Sequence, residues 1–139
     1  MPHTEITYST SSDWIEPSML AGFFDGWPEP PSAETHLRLL RGSSHVVLAL
    51  DGGRVVGFVN AISDGFFAAS IPLLEVLPTH RGRGIGRELV RRLLDQLSEF
   101  YSVDLACDPA TQEFYQQLGL RPSIAMMRRN YQRQATGAG

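Results

Sequence analysis

Apolar side chains recur at different spacings along this chain, and each change of spacing marks a new element. Residues 6–10 carry a weak strand pattern, whereas residues 13–24 place apolar side chains every three or four positions, which predicts a helix. The Pro-rich residues 26–31 then force extended or turning backbone. Ser32 is a suitable N-cap for a short helix through Leu40. The chain is therefore predicted to begin with one strand and two helices.

The middle of the chain has the pattern of β-strands. Residues 44–50 and 55–62 are rich in β-branched and other apolar residues, and the turn residues 51–54 between them predict a hairpin. A second turn signal at residues 64–65 leads into a strand over residues 67–76. These three strands are expected to form an antiparallel meander.

The last part of the chain alternates helices with strands. Residues 84–100 place their apolar side chains on one helical stripe, and residues 101–107 predict a buried strand. The Asp-Pro pair at residues 108–109 predicts an N-cap and a helix that ends at Gly119, and residues 123–131 predict a last strand. Together these patterns predict an α/β domain with a mixed sheet.

Length and composition indicate one ordinary globular domain. The chain has 139 residues, of which 42% are hydrophobic and 19% charged, a size and composition that support a core without disulfides or metals. We expect the domain to span residues 1–134, with residues 135–139 as a frayed tail. No apolar run approaches the length of a membrane span, and the N-terminus lacks a secretory signal pattern. With a single cysteine, Cys107, these features predict a cytoplasmic protein without membrane contact.

Charge is unevenly distributed along the chain, which contains no lysine. Three Arg and eight acidic residues give residues 1–70 a net charge of −5, and nine Arg and seven acidic residues give residues 71–139 a net charge of +2. A domain with a net charge of −3 is not expected to bind nucleic acid, which requires a basic face. The basic half suits an anionic cofactor and the acidic half suits a cationic substrate. A surface asymmetry without any function is the alternative.

The most specific motif is the glycine-rich segment 76–87, which lies between a predicted strand and a predicted helix. Its sequence is Val-Leu-Pro-Thr-His-Arg-Gly-Arg-Gly-Ile-Gly-Arg. Glycines let backbone N–H groups close around a phosphate, and the start of the helix adds N–H donors and a positive dipole end. Arg81, Arg83 and Arg87 add guanidinium groups that suit phosphate oxygens. The segment is therefore predicted to bind a diphosphate.

Residue identity excludes several other sites. Arg87 stands where the dinucleotide fingerprint requires its third glycine, and a nucleotide P-loop requires a lysine that the chain lacks. The four histidines do not have metal-ligand spacing, so no metal site is expected. Cys107 is expected to pack at the end of a buried strand rather than to act as a nucleophile.

Two segments together resemble the GNAT superfamily of N-acetyltransferases. Residues 81–86 have the Arg-x-x-Gly-x-Gly form of its acetyl-coenzyme A pyrophosphate loop. Residues 114–120 match a family segment in which an aromatic-Tyr pair precedes Gly and an apolar residue. The resemblance covers residues 55–131 well and the first half only in its element order. It implies a mixed, mostly antiparallel central sheet flanked by helices, with the fourth and fifth strands splayed apart around the cofactor.

The resemblance also implies a reaction and its site residues. The domain would move an acetyl group from acetyl-CoA to a small-molecule or peptide amine, by direct attack in a ternary complex. Tyr115 would protonate the departing thiolate, and the backbone N–H of Val76, at a bulge, would stabilise the thioester carbonyl. Many relatives have Asn where this chain has Asp108, which leaves that cofactor contact open. The implied cofactor-binding residues are Leu74, Val76, Arg81, Gly82, Arg83, Gly84, Ile85, Gly86 and Arg87.

Two carboxylates and a water relay are the candidates for the general base, which takes the proton from the attacking amine. Strand alternation points Glu75 to the face opposite Leu74 and Val76, and Asp104 lies in the same way on the next predicted strand. Acidic residues on both strands serve as bases in various proteins that resemble this one. Glu75 is the favoured candidate, with Asp104 and a water relay as alternatives.

The acceptor site is expected within residues 14–42, which precede the shared cofactor core. An apolar wall with nearby carboxylates would suit an organic ammonium group. Burial of the aromatic residues as ordinary core is the alternative interpretation. The aromatic candidates are Trp14, Phe23, Phe24 and Trp27, and the acidic candidates are Asp25 and Glu29.

Two alternative functions and a possible homodimer follow from the same resemblance. The domain would be a CoA-thioester sensor if it kept the loop without turnover, or a transferase of longer acyl groups if the gap were wide enough. Homodimerisation through the terminal strand is common in similar proteins, and a homodimer is therefore kept as an expectation.

Overall fold

The computed structural model describes residues 5–135, which form a six-stranded sheet with helices packed against it. Within that range no helix is long and apolar enough to cross a membrane. The strands are β1 (Thr7–Ser9), β2 (His45–Asp51), β3 (Arg54–Ser63), β4 (Ala68–Ser70), β5 (Leu74–Val76) and β6 (Ser102–Asp104). The helices are α1 (Ala33–Gly42), α2 (Ile85–Gln96) and α3 (Gln112–Gln117).

The sheet is mixed and mostly antiparallel, as predicted. Its order is β1-β2-β3-β4-β6, and β5 pairs with β3 beyond the end of β4. All pairs are antiparallel except β4 with β6, which run parallel. Gly52, at φ +62°, makes the tight turn of the β2–β3 hairpin. Every residue from Val46 to Leu50 is buried, because β2 lies in the middle of the sheet and packs against neighbours on both faces.

Helix α2 packs directly on the sheet because its apolar stripe meets a glycine. Ile85, Leu89, Val90 and Leu93 form the buried face of the helix. Gly57 of β3 lies under this face, and a Cβ atom there would be 3.0 Å from Cδ1 of Leu89. The missing side chain therefore lets the first turn of α2, and the loop before it, lie close to the sheet.

A one-residue bulge separates β4 from β5, so the single strand predicted over residues 67–76 is wrong. Residues 71–73 face only residues 60–61 of β3, and Pro72 cannot donate to the ladder. The buried side chain of Asn60 holds the bulge, since its Oδ1 accepts from the Leu73 N–H at 3.1 Å. Its Nδ2 donates to Ser43 Oγ at 3.0 Å, so both polar atoms of the amide have a partner.

The helix predicted over residues 13–24 is also wrong. Only a single 3-10 turn, Pro17–Leu20, forms there. Gly22 and Phe24 have φ values of +95° and +64°, which no right-handed helix accommodates. The apolar spacing instead belongs to an irregular segment whose large side chains fill the core. Those buried side chains are Ile15, Leu20, Phe23 and Phe24.

Around β6 and α3 the elements are shorter than predicted. The strand predicted over residues 101–107 contains only the three residues of β6, and Cys107 is exposed rather than buried. The Asp108 side chain accepts no capping hydrogen bond, and a 3-10 turn, Pro109–Thr111, precedes α3. The predicted stop at Gly119 is confirmed, with φ +96°.

The strand predicted over residues 123–131 does not form. Residues 121–130 have no regular secondary structure, and all ten are exposed. A strand exists only through pairing, and the structure pairs β6 with β4 without placing this segment on the sheet. The predicted frayed tail, residues 135–139, lies outside the described residues except for Ala135, and so does His3.

Candidate active site

A cleft opens where β5 and β6 separate. The Ile71 N–H donates to the Asp104 carbonyl at 2.9 Å, and beyond this bond β5 follows β3 instead of β6. The cleft has a volume of about 470 Å³. Its walls are β5, the loop residues 80–82 and 84–87, and Thr111, Phe114 and Tyr115 around α3. The splayed strand pair that the resemblance implied is therefore present and lined by the predicted loop.

The glycine-rich loop reaches the cleft with two of its glycines in the left-handed backbone region. Gly82 and Gly84 have φ values of +76° and +80°, and a Cβ atom at either would meet nothing within 4 Å. Their role is therefore backbone conformation rather than close packing. Because α2 begins at Ile85, its first unpaired N–H groups lie at the loop.

The residues around the loop fit a ligand with a diphosphate and an apolar arm. Arg81 and Arg87 line the cleft and are exposed, whereas Arg83 is exposed and does not line it. At Gly86 a Cβ atom would lie 3.7 Å from Cγ2 of Val76 and 3.9 Å from Cζ of Phe114, so these walls come close together there. Within residues 5–135, no group of three or more His, Cys, Asp and Glu side chains could hold a metal ion.

Tyr115 lies in the cleft as a protonated phenol. Its ring is half-buried and meets the Phe114 ring edge-on, with centroids 5.0 Å apart. Burial raises the pKa of Tyr115 above its ordinary value of 10.0, and the charge of a Cys107 thiolate raises it further. The hydroxyl therefore keeps its proton at neutral pH and can donate it.

The two candidate carboxylates occupy different surroundings. Glu75 lines the cleft, and its two oxygens accept from the N–H groups of Phe24 at 2.8 Å and Asp25 at 3.2 Å. Asp104 is exposed at the strand split, where it accepts from Ser70 Oγ at 2.6 Å. Glu75 is thus the carboxylate that the fold places on the cleft wall.

The arginines and His80 hold the loop to neighbouring elements. Arg81 donates through Nε to the Val76 carbonyl at 2.9 Å, and Arg87 donates to Gln117 Oε1 at 3.4 Å. His80 lines the cleft, where its Nε2 lies 2.9 Å from Asp51 Oδ2 and its Nδ1 lies 2.8 Å from Thr79 Oγ1. His80 therefore joins the loop to the end of β2.

The regular shape of β5 changes one expectation about Val76. The bulge that the resemblance placed at this residue lies upstream, at residues 71–73, and β5 pairs with β3 in one register through Val76. The Val76 backbone still lines the cleft beside Leu74. The bulge therefore changes the direction of the chain before it reaches the cleft, and not at Val76, whose N–H group the resemblance implicated.

Comparison with known proteins agrees with this geometry. The family model of the acetyltransferase (GNAT) family matches residues 12–120, which is most of the chain and includes the whole cleft. The chain belongs to this family. A crystal structure of a Deinococcus radiodurans R1 protein classed as an acetyltransferase is 47% identical, with a TM-score of 0.93 over 96% of this chain and 94% of that one.

More distant relatives of this GNAT chain show the same domain. A GNAT family acetyltransferase from Streptococcus pneumoniae TIGR4 is 28% identical, with a TM-score of 0.74 over 91% of this chain and 98% of that one. The uncharacterized N-acetyltransferase ycf52 of Pyropia yezoensis is 29% identical over 100 residues, which are 68% of this chain. The match spans only 57% of that relative's length.

The predicted acceptor residues of this GNAT domain are only partly brought to the cleft. Phe23 and Phe24 are core residues, as the alternative interpretation held, and Trp14 is 52% exposed. Trp27 is partly buried against Phe24, with ring centroids 4.9 Å apart. Asp25 is brought to the cleft loop by an ion pair with Arg81, whose charged atoms lie 3.6 Å apart.

Sequence reasoning missed three residues that shape the site. Asn60 holds the bulge, and a polar residue within an otherwise apolar strand could have indicated it. Thr111 lines the cleft from the 3-10 turn before α3, which no local pattern marked. His36 lies buried beneath the Phe23–Phe24 segment, and its place on the apolar face of the second predicted helix, which is α1, was the available signal.

Proposed function

We propose that this domain transfers an acetyl group from acetyl-CoA to an amine. The observation that carries the proposal is one cleft, lined by a glycine-rich loop at a helix N-terminus and by a protonated tyrosine. The loop suits the diphosphate of the cofactor, and β5 offers a strand edge beside which the pantetheine arm would lie. Leu74, Val76 and residues 81–87 would bind the cofactor.

Direct attack in a ternary complex requires one proton donor and one proton acceptor. The neutral amine nitrogen attacks the thioester carbon, the new C–N bond forms and the C–S bond breaks. Tyr115 gives its proton to the departing sulfur, and burial supports this role by keeping the phenol protonated. The backbone N–H of Val76 is the proposed donor to the carbonyl oxygen.

The proton that the amine loses has three candidate acceptors. Glu75 is favoured because it lines the cleft, although both of its oxygens already accept backbone N–H bonds. Asp104 lies at the strand split and is exposed, so it would act through water. A water relay without either carboxylate is the third route.

The acceptor is proposed to be a cationic amine, either a small molecule or a peptide. Residues 1–70 carry a net charge of −5, and this acidic half contributes the exposed Asp25, which pairs with Arg81 of the cleft loop. Glu29 is also exposed, four positions further along the chain. Opposite charge attracts a protonated acceptor to the site before it loses its proton. A screen in which the best acceptor is anionic would contradict this assignment.

A thiol-release assay tests the proposed reaction. Purified protein is incubated with acetyl-CoA and a panel of amines, and free CoA thiol is measured with and without each amine. Amine-dependent thiol release is expected with at least one cationic amine. Binding of acetyl-CoA without acetylation of any amine would favour the sensor, and release only from longer acyl-CoA thioesters would favour the alternative transferase.

We also propose that the domain forms a homodimer through residues 121–130. Ile124 and Met126 are 95% and 96% exposed, and β6 is the last strand of the sheet order. Residues 120–135 contain four Arg and no acidic residue, whereas residues 99–108 contain three acidic residues and no Arg. Pairing of this segment with β6 of a second copy would bury the apolar side chains and match the charges. Sedimentation equilibrium should show a dimer that Met126→Glu dissociates, and a monomeric parent would contradict the proposal.

A further inference from the structure

A strained turn beside the cleft is tied to the cofactor-binding elements by polar contacts, in addition to its own closing hydrogen bond and the burial of Phe24 in the core. This acceptor turn, residues 22–27, contains Phe24 with φ +64°, a value that non-glycine residues rarely adopt. The Trp27 N–H donates to the Phe24 carbonyl at 3.1 Å and closes the turn. A strained backbone persists only where surrounding contacts hold it, so the contacts of this turn identify what controls it.

Glu75 provides the first of two restraints. One carboxylate oxygen accepts from the Phe24 N–H at 2.8 Å, and the other accepts from the Asp25 N–H at 3.2 Å. A carboxylate that accepts two adjacent N–H groups fixes their orientation and satisfies both donors. Glu75 lies on β5, which lines the cleft, and this restraint therefore joins the acceptor turn directly to the cleft wall.

Arg81 provides the second restraint. Its Nη1 lies 3.6 Å from Asp25 Oδ2, while its Nε donates to the Val76 carbonyl. The two side chains are 51% and 54% exposed, and an ion pair so exposed to solvent is weak and readily exchanged. A diphosphate carries more negative charge than one carboxylate and offers several oxygens, so it competes well for this guanidinium.

From these contacts we infer that Asp25 is a positioning residue and that Glu75, besides its proposed role as base, ties the acceptor turn to the cleft wall, so that the two side chains couple this turn to the cofactor loop. Glu75 keeps the turn on β5 both without CoA and with CoA bound. Arg81 leaves Asp25 for the diphosphate when CoA binds, which frees the turn at one end and exposes the Asp25 carboxylate to a cationic acceptor. The inference rests on the proposed binding of CoA at the loop, and it adds a signal from that loop to the acceptor side.

Trp27 offers a direct reporter of the turn. The chain has two tryptophans, and Trp14 is 52% exposed, so Trp14→Phe leaves Trp27 as the sole tryptophan with little disturbance. In this background we expect saturating CoA to raise acrylamide quenching of Trp27 about twofold, because the turn loses one of its two polar ties to the cofactor-binding elements. Calorimetry on the same samples measures CoA binding independently of the fluorescence.

Asp25→Asn tests the ion pair, because it removes the charge while preserving the side-chain size. This variant should bind CoA about two- to fivefold more tightly, since Arg81 no longer has to leave a partner. Its Trp27 should be quenched strongly from the start and should not respond to CoA. Asp95→Asn is the matched control, because Asp95 pairs with Arg91 on the exposed side of α2 at 3.2 Å, and it should keep the parental response.

Glu75→Gln separates the restraints, since it replaces one of the two accepting oxygens with an NH2 group, which donates and cannot accept. It should raise Trp27 quenching before CoA is added and leave CoA affinity within about twofold. CoA binding with the same Trp27 response in the parent and in Asp25→Asn would overturn the coupling alone. Failure of the parent to bind CoA would overturn the proposed function and the coupling with it.

Discussion

His36 should make the stability of this fold depend on pH in weakly acidic solution. The residue lies on α1 and is 1% exposed. The centroid of its ring lies 4.4 Å from the ring centroid of Phe58 and 4.9 Å from that of Phe24. Neither ring nitrogen has a hydrogen-bond partner among the described residues. Burial in this aromatic cluster lowers the pKa of His36 from 6.5 to about 4.

The lowered pKa fixes both the direction and the size of the effect. Between the two pKa values the unfolded chain binds a proton that the folded chain does not bind, so stability falls as pH falls. With an unfolded pKa of 6.5 and a folded pKa of about 4, the loss is about 2 kcal/mol at pH 5 and about 3 kcal/mol at pH 4. Above about pH 8 His36 contributes almost no pH dependence, because it is then neutral in both the folded and the unfolded chain.

Urea unfolding followed by circular dichroism measures this loss. The free energy of unfolding is determined at several pH values from about 7.5 to about 5, a window above the titration of most carboxyl groups. His36→Leu should remove the slope, and His45→Gln should retain it. A parent whose stability is flat over this window, or a slope that survives in His36→Leu, would refute the assignment.

Two further substitutions probe the site and its support. Tyr115→Phe should lower kcat by about 10²–10⁴, with acetyl-CoA binding retained, because the ring stays and only the proton donor is lost. The alkaline limb of the parental pH–rate profile should lie above pH 10.0, since the pKa of Tyr115 is raised, and full kcat in the variant would remove this residue from its role. Gly57→Ala should destabilise the fold by about 1–3 kcal/mol in urea, because the new Cβ would lie 3.0 Å from Leu89 Cδ1. Gly53→Ala, whose Cβ would meet nothing within 4 Å, is its control, and equal stability of the two variants would contradict the packing argument.

The elements that the sequence predicted well are those fixed by local chemistry. The β2–β3 hairpin follows from its Asp-Gly-Gly turn, and α2 follows from one apolar stripe after a glycine-rich loop. The loop's place between strand and helix also follows from spacing, so the predicted cofactor residues line one cleft, with the exception of Arg83. Their roles stay predictions until the cofactor and acceptor are tested.

Long-range contacts account for most of what the sequence did not predict. The apolar spacing of residues 13–24 fits a helix, but Phe24 is drawn into a left-handed turn by Glu75, about fifty positions away. The bulge depends on the Asn60 side chain reaching Leu73 across the sheet. Residues 123–131 have a strand pattern that this single chain does not use, because pairing requires an edge that local sequence cannot specify.

Calorimetric titration of acetyl-CoA into the parent and Gly84→Val tests the central claim most directly. Gly84 has φ +80°, and a β-branched residue there would change the backbone that presents N–H groups to the diphosphate. We expect the parent and a Gly53→Val control to bind, and folded Gly84→Val to lose at least about tenfold in affinity, or about 1.4 kcal/mol. Unchanged affinity in a folded Gly84→Val protein would contradict the account of the loop.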